Sequence, residues 1–175
     1  VEPLILKMAL PTIVSMLITS IYNMADSYFV GKIGTSATAA VGVVYPLMNI
    51  IQAVGFFFGH GSGNFISRKL GAKEIGQAEQ MASTGFFSSL SGGLLIALLG
   101  IFCIHPLALL LGATETILPY AREYLFYVLL GTPFMTAALT LNNQLRFQGN
   151  ALYAMIGVMS GGILNMALDP LFIFT

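Results

Sequence analysis

The sequence predicts an all-α membrane protein with about five transmembrane helices, and three observations predict this class. Only seven basic and seven acidic residues occur among 175, or 8%, whereas soluble domains carry about 25%. Apolar residues make up 57% of the chain, so a soluble fold of this size lacks the charges to cover its surface. The charges also leave long uncharged stretches, such as residues 33–67 and 80–114. A helix needs about 20 apolar residues to cross the hydrocarbon core of a bilayer.

Other classes of protein are excluded by the same composition. The single cysteine, Cys103, excludes a disulfide scaffold. A formal net charge of zero leaves no basic surface for nucleic acid. The sequence contains no serine-hydrolase, P-loop or His-Glu zinc motif. We therefore do not expect an enzyme, and we expect no cofactor.

The uncharged stretches define five spans in order. The first is too long for a signal peptide and contains Pro11 and Asp26. The second and third lie within the two long stretches given above, and the fourth and fifth lie around the uncharged residues 124–145 and 147–168. Residues 94–99 do not alternate polar and apolar side chains, which favours helices over strands. The predicted spans cover residues 4–30, 37–64, 80–104, 117–142 and 151–174.

The two ends of the chain indicate that it is incomplete. Residue 1 is Val and the last span reaches Thr175, so we expect part of a larger protein.

The basic residues predict the orientation of the chain in the membrane. Five helices that alternate in direction place five basic residues on one membrane face and two on the other, and the face with more basic residues is predicted to be cytoplasmic. We expect a multi-pass protein of the plasma membrane, the bacterial inner membrane, with a cytoplasmic N-terminus. The larger group is Lys7, Arg68, Lys69, Lys73 and Arg146, and the smaller group is Lys32 and Arg122.

Two acidic residues fall inside predicted spans. Asp26 lies late in the first span, and Asp169 lies late in the fifth. A carboxylate in hydrocarbon costs about 2.5–3.5 kcal/mol on insertion scales, so such residues usually face a bundle interior or water and are candidates for function. Because both spans run in the same direction, we expect the two acids at similar depth in the outer half of the membrane, lining one cavity.

A polar stripe accompanies the first of these acids. Residues at steps of three and four lie on one helical face, and such a face in a membrane helix turns toward water or other helices. The stripe comprises Thr12, Ser15, Thr19, Tyr22, Asn23 and Asp26.

Asn165 precedes Asp169 by one turn, on the same face of the fifth span. Their oxygens suit a hard monovalent cation such as Na⁺, and they equally suit a protonatable acid with a hydrogen-bond partner. In the alternative interpretation, both side chains only hold helices together. Two pairs of small residues, Gly157 with Gly161 and Ser88 with Gly92, predict close contacts between helices.

The ordered motifs of the chain resemble the N-terminal half of a multidrug and toxic compound extrusion (MATE) transporter. The most characteristic are Tyr-Asn-Met-Ala-Asp-Ser-Tyr-Phe-Val-Gly at residues 22–31 and Leu-Asn-Met-Ala-Leu-Asp-Pro-Leu-Phe at residues 164–172. Together the matches cover nearly the whole chain. The remaining matches are residues 9–11, 59–61, 67–71 and 145–150.

The resemblance implies a fold and an activity. MATE transporters have two six-helix lobes, so the chain would supply five helices of the N-terminal lobe and lack the C-terminal one. They export drugs, many of them organic cations, in exchange for Na⁺ or H⁺. The resemblance places Asp26, Asn165 and Asp169 at a cation site in this lobe, with Tyr22 in the same cavity and Asn142 contributing from the fourth span. Both coupling ions stay open, since Asp-Asn sites serve both.

Alternatives to this interpretation are a lipid-linked oligosaccharide flippase of the same superfamily and a channel or accessory membrane subunit. A flippase cavity would need several cationic groups for a diphosphate, and no Lys or Arg lies in the middle of a span. A channel would show single-channel conductance in place of stoichiometric exchange.

Overall fold

The chain is all α-helical, as the sequence predicts. A computed structural model describes the backbone of residues 2–174 and the side chains of residues 9–32 and 34–166. No strand occurs in these described parts. The helices are α1 (Glu2–Ile33), α2 (Thr35–Gly71), α3 (Ile75–Phe102), α4 (Ile104–Leu110), α5 (Leu118–Phe147) and α6 (Ala151–Phe174).

Each of the five predicted spans coincides with one long helix, and α4 is an additional short helix that the sequence analysis did not predict. Helix α3 ends at Phe102, and α4 begins two residues later. Pro106 has no backbone N–H to donate to the carbonyl of Phe102, so the hydrogen-bond ladder of α3 cannot continue through this point. Helix α2 extends past its predicted span, with Arg68 and Lys69 in its last turn.

Three helices, α2, α3 and α5, are long and apolar enough to cross a membrane, judged on the described residues. The described part of α6, Ala151–Met166, is a shorter apolar helix. Large apolar side chains cover the outward faces: Phe57 is 74% exposed and Phe134 is 73% exposed. Faces of this kind are aggregation-prone in water, whereas in a bilayer they contact lipid.

Helices α2, α3 and α5 form the core of the bundle. Gly55, Gly59 and Gly63 of α2 are buried against α5, where an added Cβ at the first two would lie 2.9 Å from the Cβ atoms of Leu139 and Asn143. The contacts advance in the same order along both helices, so α2 and α5 run parallel. Gly residues at a spacing of four allow this close approach of two backbones.

Helix α3 runs antiparallel to both and is joined to α5 by buried polar groups. Thr140 Oγ1 lies 2.8 Å from Ser89 Oγ, and Thr136 Oγ1 donates to the carbonyl of Ser89 at 3.1 Å. Gln144 Nε2 donates to Ser62 Oγ of α2 at 3.0 Å. Every one of these side chains is buried, so the polar contacts satisfy groups that lipid could not.

The predicted small-residue contacts are wrong in α6 and hold in part in α3. Gly157 and Gly161 face open space within the described part of the chain, whereas Gly162 packs on Ile18 and Tyr22 of α1. In α3, an added Cβ at Gly92 would lie 3.3 Å from the Phe58 ring of α2, and the deepest contacts come from Ser89 and Gly93. The composition of a helix shows which residues are small, but the packing decides which of them face a neighbour. The pairing of α6 with α1 places α1 beside the three-helix core, opposite its α3 side.

Candidate functional site

The polar stripe of α1 is turned into the protein. Ser15 is only 2% exposed, and its neighbours on the stripe are half-buried, whereas the apolar residues of the opposite face are exposed. Asn23 alone of the predicted stripe lies on the exposed side. The half-buried members are Thr12, Thr19, Tyr22 and Asp26, and the exposed apolar residues of α1 include Ile13, Met16, Leu17, Ile21 and Met24.

Two hydroxyl groups of the stripe, those of Ser15 and Thr19, are satisfied within α1 itself. Ser15 Oγ donates to the carbonyl of Pro11 at 2.8 Å, and Thr19 Oγ1 donates to the carbonyl of Ser15 at 2.9 Å. Such bonds to the carbonyl four residues earlier satisfy a hydroxyl without a partner helix. The first two turns of the stripe are therefore compatible with a dry helix interface, and the less easily satisfied group is the carboxylate farther along the helix.

Asp26 lies near the end of α1, and two phenol groups lie within range of its charge. Its carboxylate acts on Tyr22, one turn earlier on α1, and on Tyr124 of α5. Both tyrosines are half-buried, and the Tyr124 hydroxyl donates to Met48 Sδ of α2 at 3.7 Å. We call Tyr22, Asp26 and Tyr124 the Asp26 site. Its oxygen atoms are hard ligands of the kind that bind an alkali cation or share a proton.

No local pattern in the sequence indicates Tyr124 as a site residue. The residue lies in the second turn of α5, and α5 runs antiparallel to α1, so the start of α5 and the end of α1 lie at the same end of the bundle. The sequence carries one signal for this pair. Tyr124 is near the start of one predicted span and Asp26 is near the end of another, so the two residues are expected at the same membrane face. The sequence does not show that these two helices are neighbours.

Two residues of the predicted cation site, Asn165 and Asp169, belong to α6, and the structure describes the side chain of the first. Gly162 contacts Tyr22, and Asn165 follows it by less than one turn with its side chain exposed. The side chain of Asp169 lies outside the described residues. Its helical backbone position is about 10 Å beyond Gly162 at 1.5 Å per residue, toward the end of the bundle that carries Asp26. The role of Asn165 and Asp169 stays a prediction.

Asn142 lies elsewhere, at the junction of α5 and α6. Its Nδ2 donates to the carbonyl of Ala154 at 2.9 Å, and its Oδ1 accepts from Arg146 Nε at 3.0 Å. The distance from Tyr124 to Asn142 along α5 is about 27 Å. The structure therefore does not bring Asn142 together with the Asp26 site, and its predicted place in the cavity remains a prediction.

A second polar face, also missed from the sequence, lies on α2. Asn49, His60 and Asn64 are exposed on one side of this apolar helix. Nδ1 of His60 lies 2.9 Å from the carbonyl of Phe56, and its ring meets that of Phe147 edge-on with centroids 5.7 Å apart. Polar groups in a membrane span usually face protein or a water-filled space rather than lipid. The spacing of these residues in the sequence is the pattern that could have identified this face.

Among the described side chains, no three His, Cys, Asp or Glu residues lie close enough to form a metal site. Among these described side chains, the Asp26 site offers a Na⁺ ion one carboxylate together with the neutral oxygen atoms of two tyrosines. Two shallow cavities, of about 410 and 330 Å³, lie away from this site, at α4–α5 and at the α2–α3 turn.

A bundle of long apolar helices, with an acid held at a seam between them, defines a multi-pass helical membrane protein of the transporter class. The MatE family model matches residues 11–171 of the chain. The chain belongs to the MatE family.

Relatives with assigned activities are similar over nearly the whole chain. A multidrug export protein MepA of Staphylococcus haemolyticus is 34% identical over 167 residues, which are 95% of this chain and 37% of the relative. An FAD transporter of Shewanella oneidensis is 29% identical over 97% of this chain and 38% of its own length. The chain thus spans less than two-fifths of the length of these relatives.

Solved structures of the family share the fold of this chain. A structure of a multidrug resistance MATE family transporter of the MOP superfamily, in the outward-facing conformation, superposes with a TM-score of 0.92 at 30% identity. The match covers 98% of this chain and 38% of that one. A MOP superfamily transporter from Pyrococcus furiosus gives the same TM-score and identity.

Proposed function

We propose that this chain forms the N-terminal lobe of a secondary active antiporter that exports drugs or organic cations in exchange for Na⁺ or H⁺. The observation that carries the proposal is the Asp26 site, a half-buried carboxylate that acts on two phenol groups inside a bundle of apolar helices. A carboxylate among apolar membrane helices costs free energy, so its presence there indicates a function. The family and its multidrug-export relatives support the direction of transport.

The charge of the described helices favours a cationic cargo. Their Lys and Arg side chains lie in the terminal turns or the turns between helices, so an acid is the charged group available at the seam. A flavin dinucleotide, the cargo named for the Shewanella relative, carries phosphate groups and would need basic partners. The same requirement stands against a lipid-linked oligosaccharide flippase.

The proposed mechanism is competition for one carboxylate. When Asp26 is ionised, it attracts a cationic drug in a poorly solvated seam, where the attraction between charges exceeds that in water. A proton or Na⁺ that arrives from outside neutralises the carboxylate, and the drug loses its counter-charge and leaves. The hydroxyls of Tyr22 and Tyr124 supply further oxygen atoms for the incoming ion. Asn165 and Asp169 of α6 complete this site in our proposal.

Transport also requires a second lobe. Secondary transporters change access by moving one bundle against another, and this chain spans 37–38% of the relatives given above. We propose that the polar face of α2 with Asn49, His60 and Asn64 lines the space between the two lobes. In the membrane, the N-terminus and the α2–α3 turn would be cytoplasmic. The 175-residue chain by itself is expected not to transport.

Efflux of ethidium from cells or vesicles that contain the complete two-lobe transporter tests this function. Asp26→Asn keeps the shape of the side chain and removes its charge, so it should abolish ion-driven efflux, and Asp169→Asn should do the same. Tyr124→Phe should weaken the dependence on the coupling ion without abolishing transport. Glu123→Gln, an exposed acid beside Tyr124, is the matched control and should leave efflux unchanged.

Separate Na⁺ and pH gradients identify the coupling ion in the same vesicles. Wild-type efflux in both the Asp26→Asn and Asp169→Asn transporters would refute the proposed site, because the polar stripe would then serve packing only. Single-channel conductance without stoichiometric exchange would identify a channel. Uptake of FAD in preference to ethidium would show that this protein carries the cargo named for the Shewanella relative, and it would refute a cationic cargo.

A further inference from the structure

A small cavity at the junction of α2 and α3 combines basic side chains with an aromatic wall. It has a volume of about 330 Å³ and is lined by Phe65, Arg68, Lys69 and Ala72. The cavity lies at the last turns of α2, beyond the long uncharged part of that helix. In a membrane-spanning helix, this is the level at which the hydrocarbon ends and the lipid headgroups begin.

The basic groups at this cavity are held in place. Lys69 Nζ donates to Glu74 Oε2 at 2.8 Å and lies 5.6 Å from the centroid of the Phe65 ring. The turn that follows contains Lys73, which is exposed and has a positive φ of 61°. Arg68, which is exposed, also lines the cavity. With one acid among three basic residues, the junction keeps an excess of positive charge.

An aromatic side chain lies on the hydrocarbon side of the same cavity. Phe65 lines the cavity one turn before Arg68 and Lys69, toward the long uncharged part of α2. A free anion such as inorganic phosphate would bind the basic groups alone. A phospholipid has both a phosphate that can bind the basic groups and acyl chains that can contact an apolar surface. Basic residues at this level can serve only to orient the helices in the membrane, and for that role their number is sufficient. A cavity with an aromatic wall is not required for orientation.

We propose that the α2–α3 junction is a binding site for the headgroup of an anionic phospholipid. Arg68 would bind the phosphate through its planar guanidinium, which matches phosphate with two parallel hydrogen bonds. Lys69 would add a point charge beside the Phe65 ring, and the acyl chains would descend past Phe65 along the uncharged part of α2. Basic pockets at the membrane surface bind lipids of this class. The site is separate from the Asp26 site and does not depend on the proposed transport function.

Lipid titration of the purified 175-residue chain tests the site. The chain is delipidated in a mild detergent and titrated with phosphatidylglycerol or with phosphatidylcholine, and bound lipids are counted by native mass spectrometry. Phosphatidylglycerol should bind at least fivefold more tightly. The double variant Arg68→Gln with Lys69→Gln should weaken it by about 25-fold, since each basic group near a membrane surface contributes about fivefold.

A matched control separates position from total charge. Lys32→Gln with Arg122→Gln removes the same two charges from the opposite end of the bundle, and phosphatidylglycerol should bind to this variant as tightly as to the wild type. Arg68→Lys keeps the charge and loses the guanidinium fork, so it should weaken binding about threefold. This single variant provides the test if the double variant fails to keep its helical circular dichroism.

Three results would overturn the proposal. Equal binding of the two lipids would show that the cavity has no preference for an anionic headgroup. Equal losses in the double variant and in the matched control would show that net charge, and not this cavity, attracts the lipid. Competition by glycerol phosphate at the same concentration as the lipid would identify a site for a free anion.

Discussion

A close approach of three helices in the bundle core gives a prediction for Gly85 of α3. This residue is buried where three helices meet, and an added Cβ would lie 2.7 Å from the Cβ of Ser62 and 2.8 Å from Nε2 of Gln144. These two side chains belong to different helices and are hydrogen-bonded to each other at 3.0 Å. In the Gly85→Ala protein, α3 must therefore move away from α2 and α5, or the bond between them must break.

Both consequences of Gly85→Ala cost stability. Overpacking of a well-packed interior costs about 1–3 kcal/mol, and a polar contact between membrane helices contributes about 0.6 kcal/mol on average. Gln144 also donates to the carbonyl of Ala82 at 3.2 Å, so two such contacts are at risk. We expect Gly85→Ala to lower the free energy of unfolding by about 2–4 kcal/mol relative to a Gly→Ala change in open space.

Gly131→Ala is the matched control, because Gly131 lies within α5 and an added Cβ there meets nothing within 4 Å. The control gains the higher helix propensity of Ala, about 0.5–1 kcal/mol in water, without any clash. Unfolding by SDS in mixed micelles measures both variants. The chain contains no Trp, so helical circular dichroism is the suitable probe. A Gly85→Ala protein as stable as the Gly131→Ala protein would refute the close packing of the three helices.

The other contacts give two further predictions, both measured by amide hydrogen exchange. Gly162→Leu should speed exchange in α1 and α6, because an added Cβ already lies 3.2 Å from the Tyr22 ring and overpacking costs about 1–3 kcal/mol. Gly161→Leu, in open space, should not, and equal effects would contradict the pairing. Asn142→Ala removes the 2.9 Å bond to the Ala154 carbonyl and should speed exchange in the first turns of α6 about threefold. Unchanged exchange there would show that this bond does not hold the junction.

The Asp26 site shows how far the sequence reaches and where it stops. An acid in an apolar span and polar residues at steps of three and four on α1 are local patterns, and they identified the inward face with Ser15, Tyr22 and Asp26 correctly. Tyr124 comes nearly a hundred residues later, and nothing local connects it to Asp26. Which helices are neighbours follows from the packing of glycine and polar contacts among α2, α3 and α5.

The registers of the small residues have the same cause. The sequence predicted contacts through Gly157 with Gly161 in α6, whereas Gly162 makes the contact with α1. In α3, Gly92 packs on Phe58 as predicted, but Ser89 and Gly93 make the deepest contacts. A shift of one residue turns a helix by 100°, so a small error in the inferred face exchanges a packed residue for an exposed one. Composition restricts the candidates to the small residues, and only the partner helix selects among them.

The sequence by itself determined the class of this protein and the positions of its long helices. Burial of a span in hydrocarbon depends on the length and polarity of one continuous segment, and both can be counted along the chain. The tertiary structure decided which polar groups come together: Gln144 bonds to Ser62, Asn142 bonds to Ala154, and Tyr124 lies within range of the charge of Asp26. These contacts depend on the rotation and neighbours of each helix, which result from side-chain packing between segments far apart in the sequence.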